Sequence, residues 1–143
     1  MERALASRLV EDWDRLHVTA APPAPDALAA VTEMLATLPE PEAAAAVTGP
    51  DDRPRIAALA GRALYLLWAV PGSAAAPGAA RCRRIPLQPG TIAVELSERR
   101  GGGRILRHWS FELDEEPLVL RTSGDDDAER FARALARALG WPQ

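Results

Sequence analysis

Arginines concentrate in one stretch of the chain, residues 81–107, where only two glutamates, Glu95 and Glu98, offset them. Guanidinium groups bind phosphates and carboxylates, so this stretch predicts a surface for an anionic partner. The alternative interpretation is that these charges solvate strand edges and keep them from pairing with other chains. The seven arginines are Arg81, Arg83, Arg84, Arg99, Arg100, Arg104 and Arg107.

Residues 99–104 read RRGGGR, which raises the question of a phosphate-binding glycine loop. Such a loop follows a strand and opens into a helix, whose first amides hold the phosphate. Here the glycines are followed by alternating polar and apolar residues, as in a strand, and no GK[ST] sequence is present. We therefore predict the turn of a β-hairpin, where glycine supplies positive φ angles, and expect no nucleotide or other cofactor.

His108 is the histidine of this hairpin. If Arg100–Gly103 form a four-residue loop, Glu95 lies beside His108 on the outer face, and Glu112 shares that face. An imidazole oriented by a carboxylate can act as a general base in a small hydrolase or transferase. A cross-strand ion pair explains the same residues, and no serine or cysteine is placed to serve as the nucleophile. We favour the ion pair.

Metal-binding residues are sparse. The acidic run Asp125–Asp127 lacks the alternating spacing of a calcium loop and suits the N-terminus of a helix instead. The two histidines, His17 and His108, are far apart in sequence, and Cys82 is the only cysteine, so no disulfide or cysteine-based zinc site is available. Neighbouring arginines could lower the pKa of the Cys82 thiol, or the residue could be a small apolar filler. We predict no metal site.

A period of two in the apolar residues predicts the strands that carry the arginines. Even positions are apolar in residues 91–98 and odd positions in 104–113. Arg107 therefore points toward the apolar side, where it either extends to the sheet margin or reaches a buried carboxylate or a ligand. Around the four-residue loop the predicted pairs are Ile92 with Phe111, Val94 with Trp109 and Leu96 with Arg107; a return strand pairs Leu118 with Leu113 and Leu120 with Phe111.

Residues 1–70 are predicted to be mainly helical. Apolar residues at helical spacing predict helices over residues 2–18 and 26–38, the second capped by Asp26. Residues 41–50 are predicted to add one further turn. The apolar stretch 54–72 favours a helix, with a strand over 62–70 as the rival.

Two further elements complete the prediction. Residues 71–80 are a loop by composition, and a short strand at 81–87 places Pro86 at an edge or a bulge. The last helix, 125–140, has capping-box spacing between Asp126 and Glu129. Its buried stripe is predicted to be Phe131, Leu135 and Leu139, while Glu129, Arg133 and Arg137 line its solvated face; Trp141 folds back on the helix.

Composition sets the broad class. All 17 basic residues are arginine, and lysine and asparagine are absent, which indicates the codon bias of a GC-rich bacterial genome. The length of 143 residues fits one domain. The charged N-terminus is unlike a signal peptide, and no window is apolar enough to span a membrane, so we expect a cytoplasmic protein.

These observations predict an α+β fold, in which an antiparallel meander of three to four strands (81–122) packs against N-terminal helices and a C-terminal helix. The favoured function is a non-enzymatic binding or adaptor module that engages another protein through the basic hairpin or an apolar helix face. The first alternative is an anion-binding domain for nucleic acid or a phosphorylated ligand, a less favoured partner class. The second is an enzyme that uses His108. Self-association as a homodimer is left open.

Overall fold

The computed structural model describes residues 1–17, 25–48, 53–70, 79–88, 92–113, 117–123 and 126–142. The elements in these residues, in chain order, are helices α1 (Arg3–Arg15) and α2 (Pro25–Ala36), strands β1 (Ala43–Thr48), β2 (Pro54–Ala60), β3 (Ala63–Val70), β4 (Ala79–Pro86), β5 (Val94–Gly101), β6 (Arg104–Phe111) and β7 (Leu118–Thr122), and helix α3 (Asp127–Ala138). None of the helices in the described ranges has the length and apolar character needed to cross a membrane.

The strands form two antiparallel sheets, which confirms the α+β fold with N-terminal helices and a C-terminal helix. The first sheet has the order β1-β2-β3-β4, and the second has the order β5-β6-β7. Each sheet is a meander, because every strand pairs with its neighbour in the chain. Local pairing of this kind needs only short connections.

The apolar residues are buried between three layers: helices α1 and α2, the first sheet, and the second sheet together with α3. On one face of the first sheet, Ile56 and Leu67 pack with α1 and α2 around Trp13. On its other face the sheet packs with the second sheet and α3, in a core that includes Phe111 and Phe131. The first sheet is therefore covered on both faces, whereas the second has one dry face and one wet face.

Helices α1 and α2 confirm the predictions made from apolar spacing. Leu9 and Trp13 of α1 are buried, as are Val31 and Leu35 of α2. Helix α2 begins at Pro25, so Asp26 lies in the first turn of the helix and is not its cap. Proline suits this first position because the amide it lacks has no partner there.

The prediction that residues up to 70 are mainly helical is wrong after α2. Residues 43–48 form β1 where a helical turn was expected, and the favoured helix from Pro54 is the hairpin of β2 and β3, in agreement with the rival strand over 62–70. All seven residues of β2 are buried. A strand buried on both faces shows no alternation of apolar and polar residues, so its sequence resembles that of a buried helix.

The β5–β6 hairpin forms, but with a tighter turn than predicted. Gly101 pairs with Arg104, so Gly102 and Gly103 alone make the turn, with φ angles of 56° and 75°. The register therefore moves by two residues, and the same shift applies to β7. The observed pairs are Val94 with Phe111, Leu96 with Trp109, Glu98 with Arg107, Phe111 with Leu118 and Trp109 with Leu120. A shift of two keeps each side chain on its predicted face.

Strand β4 is not part of the meander that carries the hairpin. It is the outer strand of the first sheet, which agrees with an edge position for Pro86. The predicted loop over 71–80 lies mostly outside the described residues, and its last two residues begin β4.

Helix α3 confirms the predicted cap and apolar stripe. The Asp126 side chain accepts a hydrogen bond from the Glu129 amide at 2.8 Å, and Phe131 and Leu135 are fully buried. The prediction that Glu129 lies on the solvated face is wrong, because its side chain is 1% exposed. Its partners are described next.

Candidate functional site

Glu129 is a buried carboxylate that accepts four hydrogen bonds from side chains. Oε2 accepts from Trp109 Nε1 at 2.9 Å and from the Thr122 hydroxyl. Oε1 accepts from Arg107 Nη1 at 2.7 Å and from Arg133 Nε at 3.0 Å. A carboxylate has about four acceptor positions, so this set of donors satisfies Glu129.

The second sheet and the start of α3 bring these residues together. Thr122 lies directly opposite Arg107 in the β6–β7 register, and Trp109 follows Arg107 by two residues on the same dry face. The Asp126 cap fixes the first turn of α3 and so places Glu129 over this patch. Arg133 follows Glu129 by one helical turn and returns to it from α3 itself.

Arg107 links Glu129 to a second carboxylate near the hairpin turn. Its Nε donates to Glu98 Oε1 at 3.1 Å, and Arg100 Nε donates to Glu98 Oε2 at 3.1 Å. Of the three outcomes that the sequence left open for Arg107, the structure therefore shows contact with a buried carboxylate. Negative and positive side chains therefore alternate along the dry face, in the order Glu129, Arg107, Glu98, Arg100.

These contacts hold both carboxylates ionised. Burial by itself raises the pKa of Glu129, but the four donated hydrogen bonds together outweigh burial and lower that pKa below its usual range. A hydrogen bond from Arg107, reinforced by one from Arg100, lowers the pKa of Glu98. The same pairs raise the pKa of Arg107. Neither carboxylate is suited to donate a proton near neutral pH.

A cleft of about 420 Å³ opens beside this network, between the β5–β6 hairpin and the C-terminal end of α3. We call it the arginine cleft. Trp141 forms part of its wall and meets Trp109 edge to face, with ring centroids 5.9 Å apart. The lining residues are Leu96, Glu98, Arg107, Trp109, Glu129, Arg133, Arg137, Trp141 and Pro142.

The end of α3 places Trp141 at the cleft. Gly140 adopts a φ of 91°, and the Trp141 amide donates back to the Ala136 carbonyl at 2.9 Å. This is a common way to end a helix, and it turns the chain back over the last helical turn. The structure thus agrees with the prediction that Trp141 folds back on the helix.

Arg137 is a cation of the cleft that is open to a ligand. It lies one turn after Arg133 on α3 and is exposed, and within the described residues its side chain makes no hydrogen bond or ion pair. Arg133 already binds Glu129 but stays half exposed, with 53% of its side chain accessible. The helical spacing predicts a solvated face for both arginines, because it does not reveal that a cleft lies beside them.

The seven predicted binding arginines do not form one patch on one sheet. Arg81, Arg83 and Arg84 lie on β4 of the first sheet, and the other four lie on the β5–β6 hairpin of the second. On the hairpin, Arg100 and Arg107 share the dry face with Glu98, while Arg99 and Arg104 belong to the wet face beside Leu106, which is 53% exposed.

The catalytic candidates His108, Glu95 and Glu112 are exposed, and His108 does not pair with Glu95 as expected. His108 lies between Ser97 of β5 and Arg121 of β7. Glu95 lies opposite Ser110. The two-residue shift in register separates His108 from Glu95, and Glu112 follows the end of β6. None of the three lines the arginine cleft.

The described residues hold no metal-binding group either. Among the residues that the structure describes, no three His, Cys, Asp or Glu side chains gather in a way that could hold a metal ion. Asp126 caps α3, and Asp127 pairs with Arg130 at 2.6 Å. Partial burial raises the pKa of the Cys82 thiol, contrary to the lowering that neighbouring arginines could cause.

In comparisons with known proteins, no protein-family model, no curated protein and no solved structure matches the chain.

Proposed function

We propose that the protein is a non-enzymatic binding module, in which the arginine cleft and the adjoining hairpin turn engage an acidic segment of another protein. The observation that carries this proposal is that Arg137, exposed and without a hydrogen bond or ion pair among the described residues, shares the cleft with Trp141 and Pro142. Arginine and tryptophan are the residue types most often found at the energetic centre of protein interfaces.

The cleft combines two kinds of recognition. Trp141 and Pro142 offer an apolar surface to a side chain, and Arg137 and Arg133 offer guanidinium groups to a carboxylate. Arg100 extends the positive charge toward the hairpin turn, where Arg99 and Arg104 add charge from the wet face. A segment that carries glutamates beside an aromatic residue fits this arrangement.

The ionised state of the carboxylates in the cleft also favours binding over catalysis. Glu129 has all its acceptor positions filled, and Glu98 accepts from Arg107 and Arg100. Groups held in this way orient the arginines around them and are poorly suited to transfer protons. We therefore assign Glu129 and Glu98 the role of positioning Arg107.

The proposal is tested by fluorescence anisotropy with a fluorescein-labelled short peptide of alternating glutamate and phenylalanine. We expect it to bind the protein, and we expect Arg137→Glu to weaken binding by about tenfold, as for a residue at the centre of an interface. Replacing Arg99, Arg100 and Arg104 together by glutamate should weaken peptide binding further and make the affinity less dependent on salt concentration.

Arg130→Glu is the matched control, because Arg130 lies on the exposed surface of α3 and does not line the cleft. Equal binding by the Arg137 and Arg130 variants, or no binding of the peptide, would overturn the proposal. A labelled DNA duplex is measured in parallel. Tighter binding of the duplex, with affinity that falls steeply as salt rises, would favour the nucleic-acid alternative instead.

A further inference from the structure

A second groove, of about 550 Å³, runs between the outer edges of the two sheets, away from the arginine cleft. We call it the edge groove. Strand β1 forms one wall and β7 the other, with α1 and the start of α3 above and below. The lining residues are Leu9, Asp12, Leu16, Ala44, Ala45, Ala46, Val47, Thr48, Val119, Leu120, Arg121, Asp126, Asp127 and Ala128.

The groove is lined by consecutive residues of β1 and not by alternate ones. Neighbouring side chains of a strand point to opposite faces, so a cavity above one face meets every second residue. Here five consecutive residues of β1 (44–48) and three of β7 (119–121) line the groove. Consecutive lining residues indicate that the groove runs along the hydrogen-bonding edge of each strand.

Those edges have no strand partner within the described ranges. Strand β1 pairs only with β2, and β7 pairs only with β6. An open edge presents a row of unpaired amide and carbonyl groups, to which an extended peptide can add as a further strand.

The walls of the groove indicate which side chains such a peptide carries. Leu9 and Leu16 provide apolar surface on the α1 side. Acidic residues line both sides, Asp12 from α1 and Asp126 and Asp127 at the start of α3, against the single basic residue Arg121. Asp12 and Asp127 pair with Arg15 and Arg130, but both pairs are solvent-exposed and contribute little.

We propose that the edge groove binds an extended segment of a partner protein with basic and apolar side chains, which pairs with β1 as an added strand. Side chains of an added strand alternate between the α1 side and the α3 side. Because acidic residues lie on both sides, basic residues on either face of the segment find a complementary charge. This surface is separate from the arginine cleft, so the protein can hold two partners of opposite charge.

The probe is a fluorescein-labelled peptide in which single arginines are separated by pairs of valines, which places arginines on both faces of a strand. We expect it to bind and to slow amide hydrogen exchange in Ala43–Thr48, while the edge strands β4 and β5 stay unchanged. Two further versions carry N-methyl groups on alternate residues, each blocking the donors along one edge of the peptide. At least one of them should bind at least about tenfold more weakly than the unmethylated peptide, because it cannot donate the backbone hydrogen bonds to β1.

Charge reversal supplies the matched control. Asp12→Arg should weaken binding by about three- to tenfold, the range for one or two exposed charge contacts, whereas Asp14→Arg on the same helix should not. Lack of binding, binding without protection of β1, or binding of both N-methylated peptides as tightly as the unmethylated one would overturn the proposal. Arg137→Glu should leave this binding unchanged, so failure here is distinguishable from failure of the cleft.

Discussion

At the scale of single residues, Glu129 shows how a charge is accommodated in the core between the second sheet and α3. Removing an ion from water is costly unless hydrogen bonds replace the lost hydration. Two neutral donors, Trp109 and Thr122, and two arginines supply those bonds. The network also fixes the orientation of Arg107, one of the cations that line the arginine cleft.

The sequence predicts part of this arrangement. The spacing of Asp126 and Glu129 predicts the helix cap, which the structure confirms. It does not predict the burial of Glu129, because a glutamate followed by arginines at helical spacing is also typical of a solvated face. The deciding donors, Trp109 and Thr122, come from strands distant in sequence, and only tertiary packing brings them near.

The depressed pKa of Glu129 predicts acid-sensitive stability. Its pKa is lower in the folded than in the unfolded chain, so the unfolded chain binds more protons as the pH falls. The stabilisation is complete above the unfolded pKa of about 4.3 and is lost as the pH falls from there through the folded pKa. Urea unfolding across this range should show a smaller decline with pH in Glu129→Gln than in the wild type.

The same variant should be less stable near neutral pH, by roughly 3 kcal/mol, since removing one partner of a buried pair leaves the others unsatisfied. Glu95→Gln is the control, because Glu95 is exposed on the wet face of β5. A Glu129→Gln protein with wild-type stability at neutral pH and an unchanged acid profile would show that the network contributes nothing.

At the scale of elements, the two sheets differ in how well the sequence predicts them. The second sheet is wet on one face, so its strands alternate between apolar and polar residues and are predicted in the right places. The first sheet is covered on both faces, so β2 and β3 carry apolar runs without alternation. The register error in the hairpin has a separate cause: side-chain alternation fixes the face, but the length of the turn fixes which residues pair.

The turn between β2 and β3 is also hard to predict, because one of its two residues is arginine. Gly61 and Arg62 both have positive φ, at 55° and 64°, in a two-residue turn that usually contains Asn, Asp or Gly. Arg62→Gly should therefore stabilise the fold by about 0.5–1 kcal/mol, since glycine avoids the steric cost of this conformation but loses more chain entropy on folding. The midpoint of urea unfolding, compared between Arg62→Gly and the wild type, measures this change in stability.

Arg84→Gly serves as the comparison for this change. Arg84 lies in β4 opposite Tyr65, in regular strand conformation, so glycine should destabilise the protein there. A loss of stability in both variants would mean that the conformation of Arg62 costs little.

At the scale of the whole molecule, α3 and the shared core join two sheets that exchange no strands. Helix α3 packs on β1 and β2 of the first sheet and on β7 of the second. Leu135 is fully buried in the cluster that contains residues of both sheets. The two groove walls therefore depend on one core, and the edge groove exists because the sheets approach each other without joining.

This shared core predicts that the two sheets unfold together. Hydrogen exchange of the amides in Pro54–Ala60 and in Arg104–Phe111, followed at increasing denaturant, should converge on a single free energy of unfolding. Leu135→Ala should lower that value in both strands equally, by about 2–5 kcal/mol, because it opens a cavity against both sheets. Leu106→Ala, at an exposed position, should lower neither. If Leu135→Ala lowered the value only in Arg104–Phe111, the second sheet would be a separate folding unit. Binding in the arginine cleft could then not stabilise the edge groove.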